Sequence, residues 1–229
     1  MDSINNRVCP VERAGSLDNI FRRWLQNPRK ILSPWVKEGM TVLDYGCGPG
    51  FFTIDIAQMV GASGRVIAAD LQEGMLQKLG KKIHETEIEN RISLHRCRQD
   101  RIGIFEKVDF TLAFYVLHEI FEQSKFFVEL DSILKPDGHV LIVEPPFHVS
   151  KSDFLKTVEE AQNAGFNPVQ GPKVLLSKSV ILKKCDVEAP RWNATLGKQR
   201  KWGSILSIYK ERKRQATVII RMLGTAFGF

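Results

Sequence analysis

Residues 41–53 run from an apolar stretch through an acid and a glycine loop into a helical start. Asp44 stands two positions before the first of three alternating glycines, Gly46, Gly48 and Gly50. Glycines let the backbone turn sharply and approach a ligand with no Cβ in the way, so the segment reads as a cofactor loop. Two details bear on which cofactor. The dinucleotide fingerprint G-x-G-x-x-G needs its third glycine where this chain has Phe51. A carboxylate at Asp44 repels a pyrophosphate and favours a ligand that carries positive charge.

Other residues of chemical interest fall at the ends of later apolar runs. Asp70 closes the run from Gly64, 20 residues beyond Gly50, and Asp100 follows the run from Ile92 to Arg96. Open α/β sheets bind ligands at the carboxyl ends of their strands, which is where both acids fall. Phe114, Tyr115, His118 and Glu119 cluster where the run from Val108 ends. His118 with Glu119 reads as a general-base pair in which the glutamate fixes the imidazole tautomer. A histidine near its ordinary pKa of about 6.5 suits proton removal at neutral pH. His148, just past the run that ends at Glu144, faces the same rim. Three of these have a plainer alternative: Asp44 as a helix cap, Asp70 as a polar strand end, and His118 as a pocket wall.

At these residues the chain resembles the class I S-adenosylmethionine-dependent methyltransferases, whose hallmark is a strand ending in an acid followed by G-x-G-x-G. The resemblance continues in order through the second strand ending at Asp70, the fourth strand and exit over 108–120, and the turn and fifth strand over 134–144. It implies that S-adenosylmethionine is the cofactor and S-adenosylhomocysteine the product. Asp44, Gly46, Gly48, Gly50 and Phe114 would then line the donor site, Asp70 and Leu71 would hold the ribose, and Asp100 would contact the adenine amine. Tyr115, His118 and Glu119 would face the acceptor, with no metal involved. The pattern is similar to the branch that includes quinone-biosynthesis C-methyltransferases, which implies a small-molecule acceptor. The competing readings are an RNA methyltransferase anchored by a basic tail and a non-catalytic protein that only binds the donor.

Two further motifs fail on context. His118 to Glu122 begins like the zinc helix H-E-x-x-H but has glutamate where the second histidine belongs. Glu144 to Phe147 resembles the [DN]-P-P-[FY] signature of base-amine methyltransferases, yet it follows the fifth strand rather than the fourth.

Strand and helix patterns alternate around these motifs, which implies a doubly wound, mostly parallel seven-stranded α/β sheet, the Rossmann-like methyltransferase fold. Helices are expected over 16–25, 28–36, 51–59, 73–84, 121–134 and 151–164, and a closing antiparallel hairpin near Val174 and Val180. The first helix presents Phe21 and Trp24, and with its neighbour it forms an N-terminal cap over residues 1–39, ahead of a donor-binding core over 40–184. Residues 185–229 form a basic extension: they carry 9 Lys and Arg against 3 Asp and Glu, whereas the first 184 carry 24 against 23. Its apolar patches suit a homodimer contact, and its basic charge would suit nucleic acid, the less favoured partner. At 229 residues and 43% hydrophobic, the chain can bury a substantial core. The polar start lacks a secretory signal and no apolar run spans a bilayer. The four cysteines, Cys9, Cys47, Cys97 and Cys185, lack C-x-x-C spacing, which fits a reducing cytoplasm.

Overall fold

The computed structural model describes residues 26–184. Helix α1 (Pro28–Leu32) leads into β1 (Thr41–Tyr45), α2 (Thr53–Met59), β2 (Arg65–Asp70), α3 (Glu73–Ile83) and β3 (Ile92–Arg96). Then follow β4 (Val108–Phe114), α4 (Gln123–Ile133), β5 (Leu134–Glu144), α5 (Lys151–Asn163), β6 (Phe166–Gln170) and β7 (Lys178–Lys184). Short 3-10 turns cover Glu89–Arg91 and Leu117–Glu119. The expected helix over 16–25, with Phe21 and Trp24, and the extension over 185–229 lie outside the described residues.

The strands form one seven-stranded sheet in the order β3-β2-β1-β4-β5-β7-β6. The first five strands pair parallel, while β7 is antiparallel to both β5 and β6. This is the Rossmann-like methyltransferase fold. The expected closing hairpin is present, but its first strand is Phe166–Gln170 rather than a segment near Val174. Val174 instead buries its side chain in the connection to β7. Its apolar character came from that burial, not from strand pairing.

Successive strand residues point to opposite faces, and β1 shows what this achieves. Val42 joins a core with Ile56 and Leu79 from α2 and α3, whereas Leu43 joins a core with Phe127 and Leu130 from α4. Helices therefore cover both faces, and the middle strands are buried on both sides. The same alternation carries Asp44 toward α2 and Tyr45 toward Phe126 of α4, whose ring centroid lies 4.8 Å away. One strand thus delivers an acid and a phenol to opposite sides of the same sheet edge.

The strand order reverses direction at β1, with β2 on one side and β4 on the other. Such a switch point leaves a crevice at the carboxyl ends of the strands, because the connecting helices depart to opposite faces.

Candidate active site

The crevice holds a cavity of about 640 Å³ whose walls include Asp44, Gly48, Asp70, Asp100, Phe114 and Tyr115. Its floor is the glycine loop. The Gly46 and Cys47 amides both donate to the Ala69 carbonyl, at 2.8 and 3.1 Å, which pins the loop to the end of β2. Gly46 has φ +73°. A Cβ there would meet Val116 Cγ2 at 2.5 Å, so only glycine lets the β4 exit pack against the loop. Gly48 differs: it has φ +54°, and no atom lies within 4 Å of where its Cβ would be. Its open side is part of the cavity wall.

Asp44 is 2% exposed, and its Oδ2 accepts the Thr53 hydroxyl at 2.6 Å. Burial raises its pKa from 3.8 to about 7; the Thr53 hydrogen bond opposes the shift and the Asp70 charge adds to it. Asp70, 8% exposed, accepts the Gly48 amide at 2.9 Å on Oδ2 and the Gln72 amide at 2.8 Å on Oδ1. Burial pushes its pKa upward against these amide bonds. Asp70 therefore joins the glycine loop to the start of α3.

Leu71 and Asp100 also line the cavity. Asp100 is at its outer edge, with a side chain 63% exposed. Glu129 of α4 holds the following loop by accepting the Ile102 and Gly103 amides, both at 2.7 Å. Cys47 and Cys97 line the cavity as buried thiols. Burial, reinforced by the charges of Asp70 and Glu129, pushes Cys97 up to about 12, and burial likewise raises Cys47, so neither supplies a thiolate.

The opposite wall is aromatic. The Phe114 ring lies 4.4 Å from both Phe52 and Tyr115 by centroid. Tyr115 adopts φ +61°, a left-handed conformation that side chains other than glycine rarely take. Its amide donates to the Val143 carbonyl at 2.8 Å. Its hydroxyl accepts from Gln26 Nε2 at 2.7 Å and lies 2.6 Å from Ser177 Oγ.

Three placements differ from the sequence expectation. Gly50, with φ +90°, is not on the cavity wall; the space of its absent Cβ is taken by Leu79, so its role is packing. Glu119 lines the cavity, but His118 does not. The carboxylate on His118 is Glu144, not Glu119: Glu144 Oε2 lies 2.6 Å from Nδ1 and Oε1 accepts the His118 amide at 3.2 Å. The turn after β4 points adjacent side chains to different sides, sending Glu119 to the cavity and His118 toward the end of β5. His148 sits beside it, with ring centroids 6.1 Å apart. Among the described residues, no three His, Cys, Asp or Glu side chains group as a metal site. Nor, among those residues, is any helix long and apolar enough to cross a membrane.

A family model for a methyltransferase domain matches residues 36–208. The chain belongs to that family. It is also similar to a demethylmenaquinone methyltransferase of Lactobacillus johnsonii, 33% identical over 110 residues that cover 48% of this chain and 45% of that one. A ubiquinone/menaquinone biosynthesis C-methyltransferase of a Marinomonas species is 26% identical over 66% of this chain and 59% of its own. The chain thus spans about half the length of these relatives. A solved S-adenosylmethionine-dependent methyltransferase from Aquifex aeolicus matches with TM-score 0.68 and 27% identity, over 76% of this chain and 97% of that one.

S-adenosylmethionine, the donor of this class of methyltransferase, fits the residues present. Gly48 leaves an open cradle where a Cβ would intrude on a bound ligand. Asp44 is a buried acid whose charge a cationic ligand would favour. Asp70 presents a carboxylate, fixed by backbone amides, that suits a diol. The residues missing from the sequence reading, Thr53 and Glu144, are both hydrogen-bond partners of predicted site residues. Thr53 opens α2 on the face to which Asp44 points, a local signal in the sequence.

Proposed function

We propose that this methyltransferase-domain chain moves the methyl group of S-adenosylmethionine onto a small acceptor of the quinol type, seated where the donor cavity opens at the exit of β4. The observation that carries this reading is the cavity's asymmetry. Its inner half is built from fixed acids and the glycine loop, whereas the β4 side is aromatic and ends at Tyr115 and the 86% exposed Phe121. A flat ring with hydroxyl groups suits that wall, stacking on aromatic faces and hydrogen-bonding at its edge. The similarity to quinone-biosynthesis C-methyltransferases favours the same acceptor.

Asp44, Gly46 and Gly48 bind the donor, Asp70 and Leu71 its ribose, Asp100 its adenine, and Phe114 closes the site. Gly50 supports the loop from behind. Tyr115 and Glu119 face the acceptor. Bound donor supplies a methyl group on a cationic sulfur, a good leaving group. The protein's work is then alignment, holding the acceptor nucleophile about 3 Å from the methyl carbon. Residues 40–184 act as the donor-binding core, 1–39 as a cap over the acceptor, and 185–229 as a basic interaction extension suited to homodimer formation. The setting is the cytoplasm.

The test uses the full chain, methyl-labelled S-adenosylmethionine and two acceptors: a reduced short-chain naphthoquinone and total RNA. Label should appear on the quinol ring in the mass spectrum. Label on RNA with none on the quinol would overturn the reading.

A further inference from the structure

We propose that His118 and Glu144 form a proton-accepting dyad at the acceptor side of the site, so that the acceptor is a hydroxylated ring that ionises at His118 Nε2 before it attacks the methyl group. This inference rests on the function proposed above and adds to it the acceptor's acidity and a positioning role for Glu144.

Glu144 is the last residue of β5 and only 1% exposed. A carboxylate so deeply buried is costly unless its oxygens are hydrogen-bonded, and here both are engaged by a single residue. Oε1 accepts the His118 amide at 3.2 Å and Oε2 faces Nδ1 at 2.6 Å, the short range of a charge-assisted bond. Neutral His118 must therefore carry its proton on Nδ1, which leaves the Nε2 lone pair available. The His118 side chain is 23% exposed, so the ring is not sealed in the core. The same 3-10 turn carries Glu119, and Tyr115 is three residues earlier; both line the donor cavity. On the proposed reading, an acceptor ring stacked beside Tyr115 lies in the cavity and turns its hydroxyl toward His118, which stands outside the cavity wall.

The charged and titratable groups around His118 come from each neighbouring element. Glu144 comes from β5, Glu119 from its own turn and His148 from the segment after β5, while Lys178 of β7 donates to the Pro146 carbonyl at 3.3 Å. Burial pushes the imidazolium pKa down, but the hydrogen bond and charge of Glu144, together with Glu119, outweigh it and the net direction is up. A stronger base retains the acceptor's proton better, at the cost of a higher pH for activity.

The step balances as follows. The acceptor O–H proton moves to Nε2, and Glu144 compensates the imidazolium charge. The phenolate electron pair, delocalised onto the adjacent ring carbon, forms the new bond to the methyl carbon. The methyl–sulfur bond breaks, and sulfur keeps its electron pair as S-adenosylhomocysteine leaves. The ring carbon's displaced hydrogen departs to water as a proton, which restores the aromatic ring as a phenolate. His118 returns its proton to the phenolate oxygen, so the hydroxyl is restored and one proton in all is released.

The experiment measures kcat and KM against pH for the full chain with a reduced short-chain naphthoquinone, and S-adenosylhomocysteine affinity by calorimetry. Wild-type kcat should rise with pH through a midpoint above 6.5. His118→Asn keeps a polar group facing Glu144 but lacks Nε2. It should lose about 100-fold or more in kcat, the usual scale for a general base, with the S-adenosylhomocysteine Kd within about 3-fold, a change of under 1 kcal/mol. Glu144→Gln should move the kcat midpoint to lower pH, a displacement that a purely structural latch would not produce. Full kcat in His118→Asn with an unchanged pH profile would overturn the dyad while leaving the donor and acceptor reading intact. A wild-type chain that binds S-adenosylhomocysteine but methylates no quinol would overturn the acceptor reading, and with it the acceptor class named here.

Discussion

The Thr53 hydroxyl donates to Asp44 Oδ2 at 2.6 Å, joining the first turn of α2 to the acid at the end of β1. This bond lowers the Asp44 pKa, against burial and the Asp70 charge, which together raise it to about 7. The acid is therefore poised to respond to whatever binds beside it.

A cationic donor beside Asp44 favours the ionised form. Donor binding should release a proton near neutral pH, and affinity should strengthen between pH 6 and 8 as Asp44 ionises through about 7. Calorimetry in two buffers of different ionisation heat checks this directly. Thr53→Val should push the Asp44 pKa higher and weaken donor binding at pH 7 by about 1.5–3 kcal/mol, the scale of a hydrogen bond to a charged group.

The same acid sets a stability trend in the absence of donor. Its folded pKa is raised from 3.8 to about 7, so its contribution to stability is fully present below 3.8 and is lost as pH rises through 7. Asp44→Asn should flatten this part of the dependence of thermal unfolding on pH. A variant whose unfolding temperature follows the wild-type pH curve unchanged would contradict the assignment.

Gly46 and Gly48 should respond differently to alanine. Gly46→Ala drives a Cβ to 2.5 Å from Val116 Cγ2 and should destabilise the protein by about 1–3 kcal/mol through overpacking. Val116→Ala should restore part of that loss. Gly48→Ala meets open space, so its stability cost is the left-handed backbone alone, about 1–2 kcal/mol. Its donor affinity should nonetheless fall, because the new methyl group projects into the cavity. Denaturant unfolding and donor titration on the same samples separate the two effects.

Tyr115→Phe removes the hydroxyl held by Gln26 and Ser177 at 2.7 and 2.6 Å but keeps the ring against Phe114. Donor Kd should stay within about 2-fold, well under 1 kcal/mol. Acceptor KM should rise several-fold, measured as initial rates with the reduced naphthoquinone.

The grouping of Asp44, Gly46, Gly48 and Asp70 around one cavity was legible in the sequence because its information is local. Asp44 and the glycines lie within seven positions, and Asp70 ends the next strand. The acceptor half depends on which strands become neighbours. Glu144 is 26 positions from His118, and the pairing of β4 with β5 alone brings it to the imidazole. Sequence adjacency suggested Glu119 instead. Ser177 meets Tyr115 across 62 positions because β7 runs back beside β5. The shift of the closing hairpin has a similar cause: Val174 is apolar because it fills the core, and nothing local distinguishes such a residue from a strand residue. Phe21 and Trp24, expected over the acceptor, lie outside the described residues.

The central claim is that the cavity at the β1–β4 switch point binds S-adenosylmethionine through Asp70 and the loop that Asp70 holds. Calorimetric titration of the full chain with S-adenosylhomocysteine tests it most directly, with wild type and Asp70→Ala side by side. One site per chain is predicted in wild type, weakened by about 1–3 kcal/mol in the variant as ribose hydroxyls lose their acceptor. Absence of binding by wild type to both S-adenosylhomocysteine and S-adenosylmethionine, or tight binding of NADH in their place, would contradict the account.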